Sequence, residues 1–247
     1  MKTYFRALIY VLLTCTTGGF LQAQTPAPTP KPWTGNFGGG FAFTDGNSDT
    51  TNLNFSFAVT HDPKTKNVAK WNGLYLRGEK DGAETIDRTS TLIRDEFTFS
   101  KRVFTFGQVE YLRDKFKDIM FLWSPTVGIG VKLVDQDNVT FSLDNGAGGV
   151  WERNPGQNTH GSGAYNAAEH MNWKLSKTAT VVQSVTGLWE TNDFGNALFN
   201  STLGVAASLT QRVELKFEIN DIYKTRPPLV TLRKSDLAVI TAFVLKF

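Results

Sequence analysis

The chain has 247 residues, with 26 lysines and arginines against 23 aspartates and glutamates, and it contains a single cysteine. This near balance of charge excludes the basic footprint of a nucleic-acid-binding protein, and a lone cysteine leaves no disulfide framework. Aromatic residues make up 13% of the chain, beside 22 glycines and only 9 prolines, a composition typical of a protein rich in strands and turns.

Residues 1–23 predict an export signal. Lys2 and Arg6 give it a positive start, residues 7–13 form a short apolar core, and small residues near Ala23 predict cleavage there. The core is too short to cross a bilayer as a helix, and no later segment approaches the ~18 apolar residues that such a helix needs. We therefore expect an exported protein that is either soluble or crosses the outer membrane as a barrel.

The region after the signal divides into a linker and a folded part. Residues 24–32 are rich in proline and predict an extended linker. The barrel is expected over residues 33–247. Because Cys15 lies within the predicted signal, the mature chain would contain no cysteine. Removal of Lys2 and Arg6 with the signal would leave 24 basic and 23 acidic residues.

Apolar and polar residues alternate in segment after segment beyond the linker. A period of two predicts β-strands, in which successive side chains point to opposite faces. We count about twelve, an even number, as bacterial single-chain membrane barrels have. The predicted strands cover approximately residues 36–44, 52–59, 68–78, 89–100, 104–113, 126–134, 139–144, 164–175, 180–189, 197–209, 212–219 and 236–247.

The last two predicted strands are the most regular. Between residues 212 and 219 every second residue is apolar and every residue between is charged. This hairpin could be the edge of a soluble sandwich, or a pair of barrel strands with apolar side chains toward lipid and polar ones toward the lumen. The apolar set of the two strands is Val213, Leu215, Phe217, Ile219, Leu237, Val239, Phe243, Leu245 and Phe247.

The connections favour the barrel. Those after even-numbered strands are short, whereas most of those after odd-numbered strands are longer, and residues 151–163 form the longest irregular segment. Short turns at one end and longer external loops at the other are typical of membrane barrels with both termini on the periplasmic side. We therefore predict a transmembrane, antiparallel, up-and-down β-barrel, with residues 151–163 as an external loop.

The fifth predicted strand does not fit a simple two-faced pattern. Phe104 and Phe106 fall in phase with Gln108 and Glu110, so aromatic and polar side chains share one face. Either a β-bulge or a packed lumen would explain this.

Charged residues on the predicted inner face have both signs. A single dominant sign would have indicated ion selectivity, whereas a mixed set fits either a narrow polar pore or an interior cross-linked by ion pairs. The predicted lumen-lining residues are Arg94, Glu96, Glu110, Lys132, Asp144, His170, Lys174, Arg212, Glu214, Lys216 and Glu218, with Asp236 in the same phase.

Signals for catalysis or metal binding are weak. His160 and Ser162 share the predicted external loop, but the segment does not match a nucleophile elbow. Asp45, Asn47 and Asp49 could contact calcium, although they do not complete a ligand set. No His, Cys and carboxylate cluster has metal-site spacing, so we expect no metal and no cofactor.

Several features together resemble the YdiY-like salt-induced outer-membrane protein family (domain of unknown function 481). They are the signal, Gly46-Asn-Ser-Asp-Thr-Thr51, Val127-Gly-Ile-Gly-Val131, Glu110-Tyr-Leu-Arg-Asp114 and the terminal Phe247. The resemblance covers about residues 33–247 and implies an outer-membrane barrel without known catalytic residues. It also implies that Phe247 is part of the signal for the barrel-assembly machinery.

The sequence thus predicts a non-enzymatic outer-membrane barrel with an envelope or stress-related role, acting as a narrow passive channel. Its expected partners are outer-membrane lipid and the assembly machinery, with no nucleic acid and with the oligomeric state open. One alternative is a barrel hydrolase acting on lipid or peptide. The other is a soluble periplasmic β-protein that binds an apolar ligand.

Overall fold

The computed structural model describes residues 31–45, 50–80 and 83–247. The predicted export signal, the linker up to residue 30 and the turn at residues 46–49 lie outside the described residues. Within the described part of the chain, no helix is long and apolar enough to cross a membrane.

Twelve antiparallel strands account for most of the described chain, which confirms the predicted number. Each strand pairs with its neighbours in sequence, and β1 also pairs with β12 to close the barrel. The strands are β1 (Trp33–Asp45), β2 (Thr50–His61), β3 (Asn67–Lys80), β4 (Ala83–Thr98), β5 (Val103–Asp114), β6 (Ile119–Asp135), β7 (Val139–Arg153), β8 (His160–Lys174), β9 (Ala179–Glu190), β10 (Asp193–Ser208), β11 (Val213–Lys224) and β12 (Ser235–Lys246).

The closing seam between β1 and β12 is fully paired. Phe37 lies opposite Leu245, and the backbone N–H of Phe247 donates to the Gly35 carbonyl at 3.0 Å. The Phe247 ring also stacks on Phe37, with 5.5 Å between the ring centroids. Because a closed barrel has no free edge strand, the alternative of a soluble sandwich is wrong.

Large apolar side chains cover the outer wall of the barrel. Leu53, Val127 and Phe243 are 68%, 69% and 62% exposed, and they represent a larger set that follows every second position of the strands. An apolar outer band with aromatic residues is the lipid-facing surface of a membrane barrel. The predicted outward face of β11 is part of this band, since Leu215 and Phe217 are both exposed.

The strands extend further than the sequence predicts. β7 continues to Arg153 and β8 begins at His160, so the irregular segment between them is residues 154–159 rather than 151–163. The expected long connection after β9 is also wrong, because β9 ends at Glu190 and β10 begins at Asp193. Polar residues in these regions predict loops, but at the strand ends such residues face the interior or water and remain part of the strands.

The end of the barrel at which β1 begins and β12 ends is called here the terminal end, and the opposite end is called the loop end. Inward apolar side chains fill part of the loop-end half in two clusters. The larger cluster comprises Leu112, Ile119, Leu122, Val150, Ala164, Leu188, Leu198 and Ile222. The smaller comprises Leu76, Ile86, Ala238 and Ile240, with Leu74 packed against it.

The irregular pattern of β5 results from a packed lumen and not from a bulge. Phe104 and Phe106 point inward with Gln108 and are 5% and 4% exposed. They lie opposite Gly130 and Gly128 of β6, where a side chain would collide with the phenylalanine rings. Glycine at these positions therefore makes room for aromatic rings inside the barrel.

Candidate functional site: the barrel interior

Arg94 reaches across the interior from β4 to β7. Its Nη2 lies 2.6 Å from Asp144 Oδ2, its Nη1 donates to Gln108 Oε1 at 2.7 Å, and its Nε donates to Glu96 Oε1 at 2.8 Å. The side chains of Arg94 and Asp144 are 7% and 0% exposed. A guanidinium has donors in a fixed planar fork, which allows one side chain to contact three acceptors at once.

An aromatic ring supports the same guanidinium from one side. The Arg94 carbon Cζ lies 3.9 Å from the centroid of the Phe106 ring and 5.8 Å from that of Phe104. A cation over a ring face is attracted by the ring quadrupole, more strongly where water is excluded. The inward phenylalanines of β5 therefore position the arginine that bridges the lumen.

Further charges extend this bridge in both directions. Lys70 Nζ lies 2.8 Å from Glu96 Oε1, and His170 Nε2 lies 3.3 Å from Asp144 Oδ2. The result is a chain of ion pairs and polar contacts from β3 to β8, which we call the Arg94 network. It comprises Lys70, Glu96, Arg94, Gln108, Asp144 and His170.

A second bridge crosses the interior near the loop end. Lys224 of β11 places its Nζ 2.5 and 2.6 Å from the two carboxylate oxygens of Glu152 on β7. Asn154 Nδ2 also donates to Glu152 Oε1 at 2.9 Å. Both ions are at most 5% exposed, so the pair ties two distant strands together inside the barrel.

A third bridge comes from the connection between β5 and β6. Residues 115–117 form one 3₁₀ turn, and Asp114 caps it by accepting from the backbone N–H of Phe116 and Lys117. The turn directs Lys117 inward to Asp236 of β12, 3.1 Å away, and to the Lys234 carbonyl at 3.2 Å. Burial lowers the pKa of Lys117, and the charge of Asp236 opposes this effect.

Glu110 is the exception among the inward carboxylates. It lies on β5 between Gln108 and the apolar Leu112, and among the described residues no side chain donates to it or pairs with it. Glu110 is half-buried, whereas Asn54 and Asn166 are buried, and both polar side-chain atoms of Asn54 and the Oδ1 of Asn166 are unpaired. The interior therefore contains polar groups that the protein itself does not satisfy.

The terminal end of the interior is more open. Glu214 accepts from Ser208 Oγ at 2.9 Å and from Lys246 Nζ at 2.7 Å, and Lys216 pairs with Glu218. The side chains of Lys216 and Lys246 are 33% and 36% exposed. Water therefore reaches the interior from this end.

Most of the residues predicted to line the lumen do point into the barrel, but three of them lie at its rim. Lys132 pairs with Asp135 at 3.4 Å, and Lys174 Nζ donates to the Asp137 carbonyl at 3.0 Å. Arg212 is outside the strands, exposed in the turn before β11, which corrects the predicted assignment to the lumen wall.

Sequence reasoning missed several interior side chains. Lys117 is in a connection, and Glu152 and Lys224 lie in stretches that were predicted to be loops. Nothing in the sequence pattern indicates that these three side chains lie in the interior. For Gln108 a signal is present, because it falls in phase with Phe104 and Phe106 on an inner face of mixed character. Lys70 lies in a predicted strand, but its inward phase was not recognised.

The residues proposed for a hydrolase do not form a catalytic pair. Ser162 Oγ donates to the Gly163 carbonyl and to Asn192 Oδ1, at 2.9 and 2.8 Å. The His160 ring faces Glu190 instead, with 3.6 Å between Nε2 and Oε1. A serine nucleophile needs a base within hydrogen-bond reach, and Ser162 has none in this arrangement.

The fold is similar to those of solved outer-membrane channels. The NanC porin gives a TM-score of 0.58 at 8% identity, covering 86% of this chain and 100% of that one. An outer membrane channel from Pseudomonas putida F1 gives 0.54 at 9% identity, with 89% and 97% covered. The translocator domain of the autotransporter NalP from Neisseria meningitidis gives 0.52 at 8% identity, with 89% and 90% covered.

At such low identity these likenesses establish the fold alone. No curated protein matches the chain in sequence. A family model does match residues 38–247, almost the whole barrel, and this confirms the predicted resemblance to domain of unknown function 481. The chain belongs to the family described as "Protein of unknown function, DUF481".

Proposed function

We propose that the protein is a non-enzymatic, narrow, passive channel of the outer membrane. In this proposal the terminal end faces the periplasm and the loop end faces outward, as short-turn and loop ends do in bacterial barrels. The observation that carries the proposal is the Arg94 network, which narrows a water-accessible polar interior with fixed charges of both signs.

The route for a solute follows the wall opposite Phe106. In the middle of β9 and β10 the inward residues include the short polar side chains of Ser184, Thr186 and Thr202, which are only half-buried, while Leu188 and Leu198 narrow the same wall at the loop end. The rest of the interior is filled by the apolar clusters and the bridges at the loop end. Such a route suits small ions and small polar solutes, and mixed charges predict weak ion selectivity.

The proposal is tested by conductance in planar bilayers. The refolded protein should show small unitary currents in potassium chloride. Arg94→Gln removes the positive charge beside Asp144 and should shift the reversal potential in a salt gradient toward cation preference. Asp144→Asn should shift it toward anion preference. Lys64→Gln, in the exposed turn after β2, is the control and should change neither current nor selectivity.

Two outcomes would reject the channel. One is a wild-type protein that inserts, gives the heat-modifiable gel mobility of a folded barrel, and carries no current. The other is conduction whose selectivity is the same in both charge variants, because the current would then not pass the Arg94 network.

An envelope-stress role is a separate part of the proposal and is supported by the family resemblance. It predicts higher expression after an upshift in external salt and slower growth of a deletion strain under that condition. Equal expression at low and high salt, and equal growth of the deletion strain at both, would refute the stress role and leave the channel proposal unchanged.

We also propose export by a cleaved signal at residues 1–23, and assembly by the barrel-assembly machinery through Phe247. The position of Phe247 at the closing seam, stacked on Phe37, supports this role. Fractionation of the outer membrane and N-terminal sequencing of the mature protein test the export step.

A further inference from the structure

We propose that Glu152, His160 and Glu190 form a binding site for a divalent transition-metal ion, with Zn²⁺ as the probe. The three residues come from the loop-end parts of β7, β8 and β9. One ligand atom of each lies within 4.8 Å of the other two.

The geometry is close to that of a bound ion. Zinc bonds of about 2.0–2.2 Å to nitrogen and oxygen place tetrahedral ligands roughly 3.3 Å apart. His160 Nε2 and Glu190 Oε1 are already 3.6 Å apart. Glu152 and His160 are directly paired residues of neighbouring strands, so a small rotation of the side chains brings all three ligands together.

The type of donors indicates which ion would bind. An imidazole nitrogen with carboxylate oxygens suits zinc and similar transition metals, whereas magnesium and calcium prefer oxygen ligands. The sequence pattern did not indicate the cluster, because Glu190 is thirty residues from His160 along the chain and joins it only through the pairing of β8 with β9.

Amide groups orient both carboxylates from outside the cluster. Asn154 Nδ2 donates to Glu152 Oε1 at 2.9 Å, and Asn196 Nδ2 donates to Glu190 Oε1 at 2.5 Å. Hydrogen bonds of this kind fix metal-binding carboxylates in place. Glu152 and Glu190 are buried, while the His160 side chain is 43% exposed, so an ion can enter from the loop end.

Lys224 is the competitor of the metal. Its ammonium group contacts both oxygens of Glu152 and neutralises one of the two carboxylates. A metal ion that takes one oxygen of Glu152 competes with Lys224 for that oxygen, and the two positive charges repel each other. Metal binding therefore weakens the Lys224 bridge from β7 to β11, and the bridge opposes metal binding.

The site is tested by titrating Zn²⁺ into the folded, tag-free protein and measuring heat. His160→Gln should weaken binding roughly tenfold or more, since it removes the only nitrogen ligand in the cluster. His61→Gln is the matched control, because His61 lies at the end of β2 against Trp33 and outside the Arg94 network, and this variant should bind as the wild type does. Lys224→Met should bind more tightly, because the competing ammonium is gone.

The outcomes are decisive in each case. No measurable binding, or equal affinity of the wild type and His160→Gln, overturns the site. Unchanged affinity in Lys224→Met overturns the competition. The visible absorption of Co²⁺ in place of Zn²⁺ gives a second readout, and it should change in His160→Gln and not in His61→Gln. The zinc titration measures binding and does not depend on conduction. A protein that binds zinc but carries no current would therefore support the metal site and refute only the channel.

Discussion

Arg94 and Asp144 are fifty residues apart in sequence, and their side chains meet at 2.6 Å inside the barrel. β4 and β7 are not neighbours in the barrel wall, so this contact joins them through the lumen. Charges as buried as these are costly to desolvate, so each depends on the other and on Glu96, Gln108 and His170. The same contacts that stabilise the interior therefore also set the width and charge of the proposed route.

The first prediction concerns this pair. Arg94→Leu should lower the free energy of unfolding by about 3–5 kcal/mol, because it leaves Asp144 buried without its main partner. The double variant Arg94→Leu/Asp144→Leu should lose less than the sum of the single variants, since no charge is stranded. Reversible urea unfolding from lipid vesicles measures both. Additive losses would mean that the contact does not couple the two strands.

A matched control for this cycle is the ion pair of Lys64 and Asp62 in the turn after β2. Its atoms are 2.7 Å apart, but the side chains are 65% and 33% exposed. A solvated pair contributes about 0–1 kcal/mol, so Lys64→Leu should have little effect on unfolding.

The second prediction tests the lipid-facing band. Phe217→Arg should destabilise the folded protein by about 2–4 kcal/mol, because it places a charge on the lipid-facing wall. Lys216→Gln, one residue away, should cost much less, since this side chain points inward and is partly solvated. Folding yield in lipid vesicles gives the comparison. Equal losses in the two variants would show that the faces of β11 are assigned incorrectly.

The third prediction tests the closing seam. Cysteines at Phe37 and Leu245, which lie directly opposite each other on β1 and β12, should form a disulfide in the membrane. Cysteines at Phe37 and Phe217 are the control and should not, because β1 and β11 are not neighbours. The mature chain is expected to carry no competing thiol. If the cysteines at positions 37 and 245 stay reduced under oxidising conditions, β1 and β12 are not paired and the sheet is open.

The fourth prediction concerns the end of the chain. Deletion of Phe247 should reduce insertion into the membrane, because it removes the ring stacked on Phe37 and two backbone hydrogen bonds to Gly35. If the residue also acts in assembly, the loss in cells should exceed the loss in refolding from urea without cellular factors. Equal losses in both settings would assign Phe247 a purely structural role.

The fifth prediction concerns the connection between β7 and β8. Gly156 lies in it with a positive φ of 71°, a conformation that favours glycine, and nothing packs within 4 Å of a side chain there. An epitope inserted after Gly156 should therefore leave the barrel intact and be detected by antibody on intact cells. Detection only after permeabilisation would place the loop end in the periplasm.

The sequence by itself determined the strands, their number and the outer wall. Lipid contacts one face of every strand and accepts only apolar side chains there, so the pattern of Val213, Leu215, Phe217 and Ile219 is local and can be counted along the chain. Closure followed from the same reasoning, because a membrane excludes a free strand edge. The terminal strand ending at Phe247 was identified on this basis.

The interior was decided only by the tertiary structure. The inner face meets other side chains and water together, so no single residue type is selected at its positions. The sequence pattern leaves Phe106 between a β-bulge and a packed lumen, and only its burial beneath the Arg94 guanidinium places it inside. Glu152 and Lys224 are 72 positions apart in sequence and pair across the lumen. The sequence pattern predicts loops at both positions, because a polar residue at a strand end resembles a loop residue unless its partner is known.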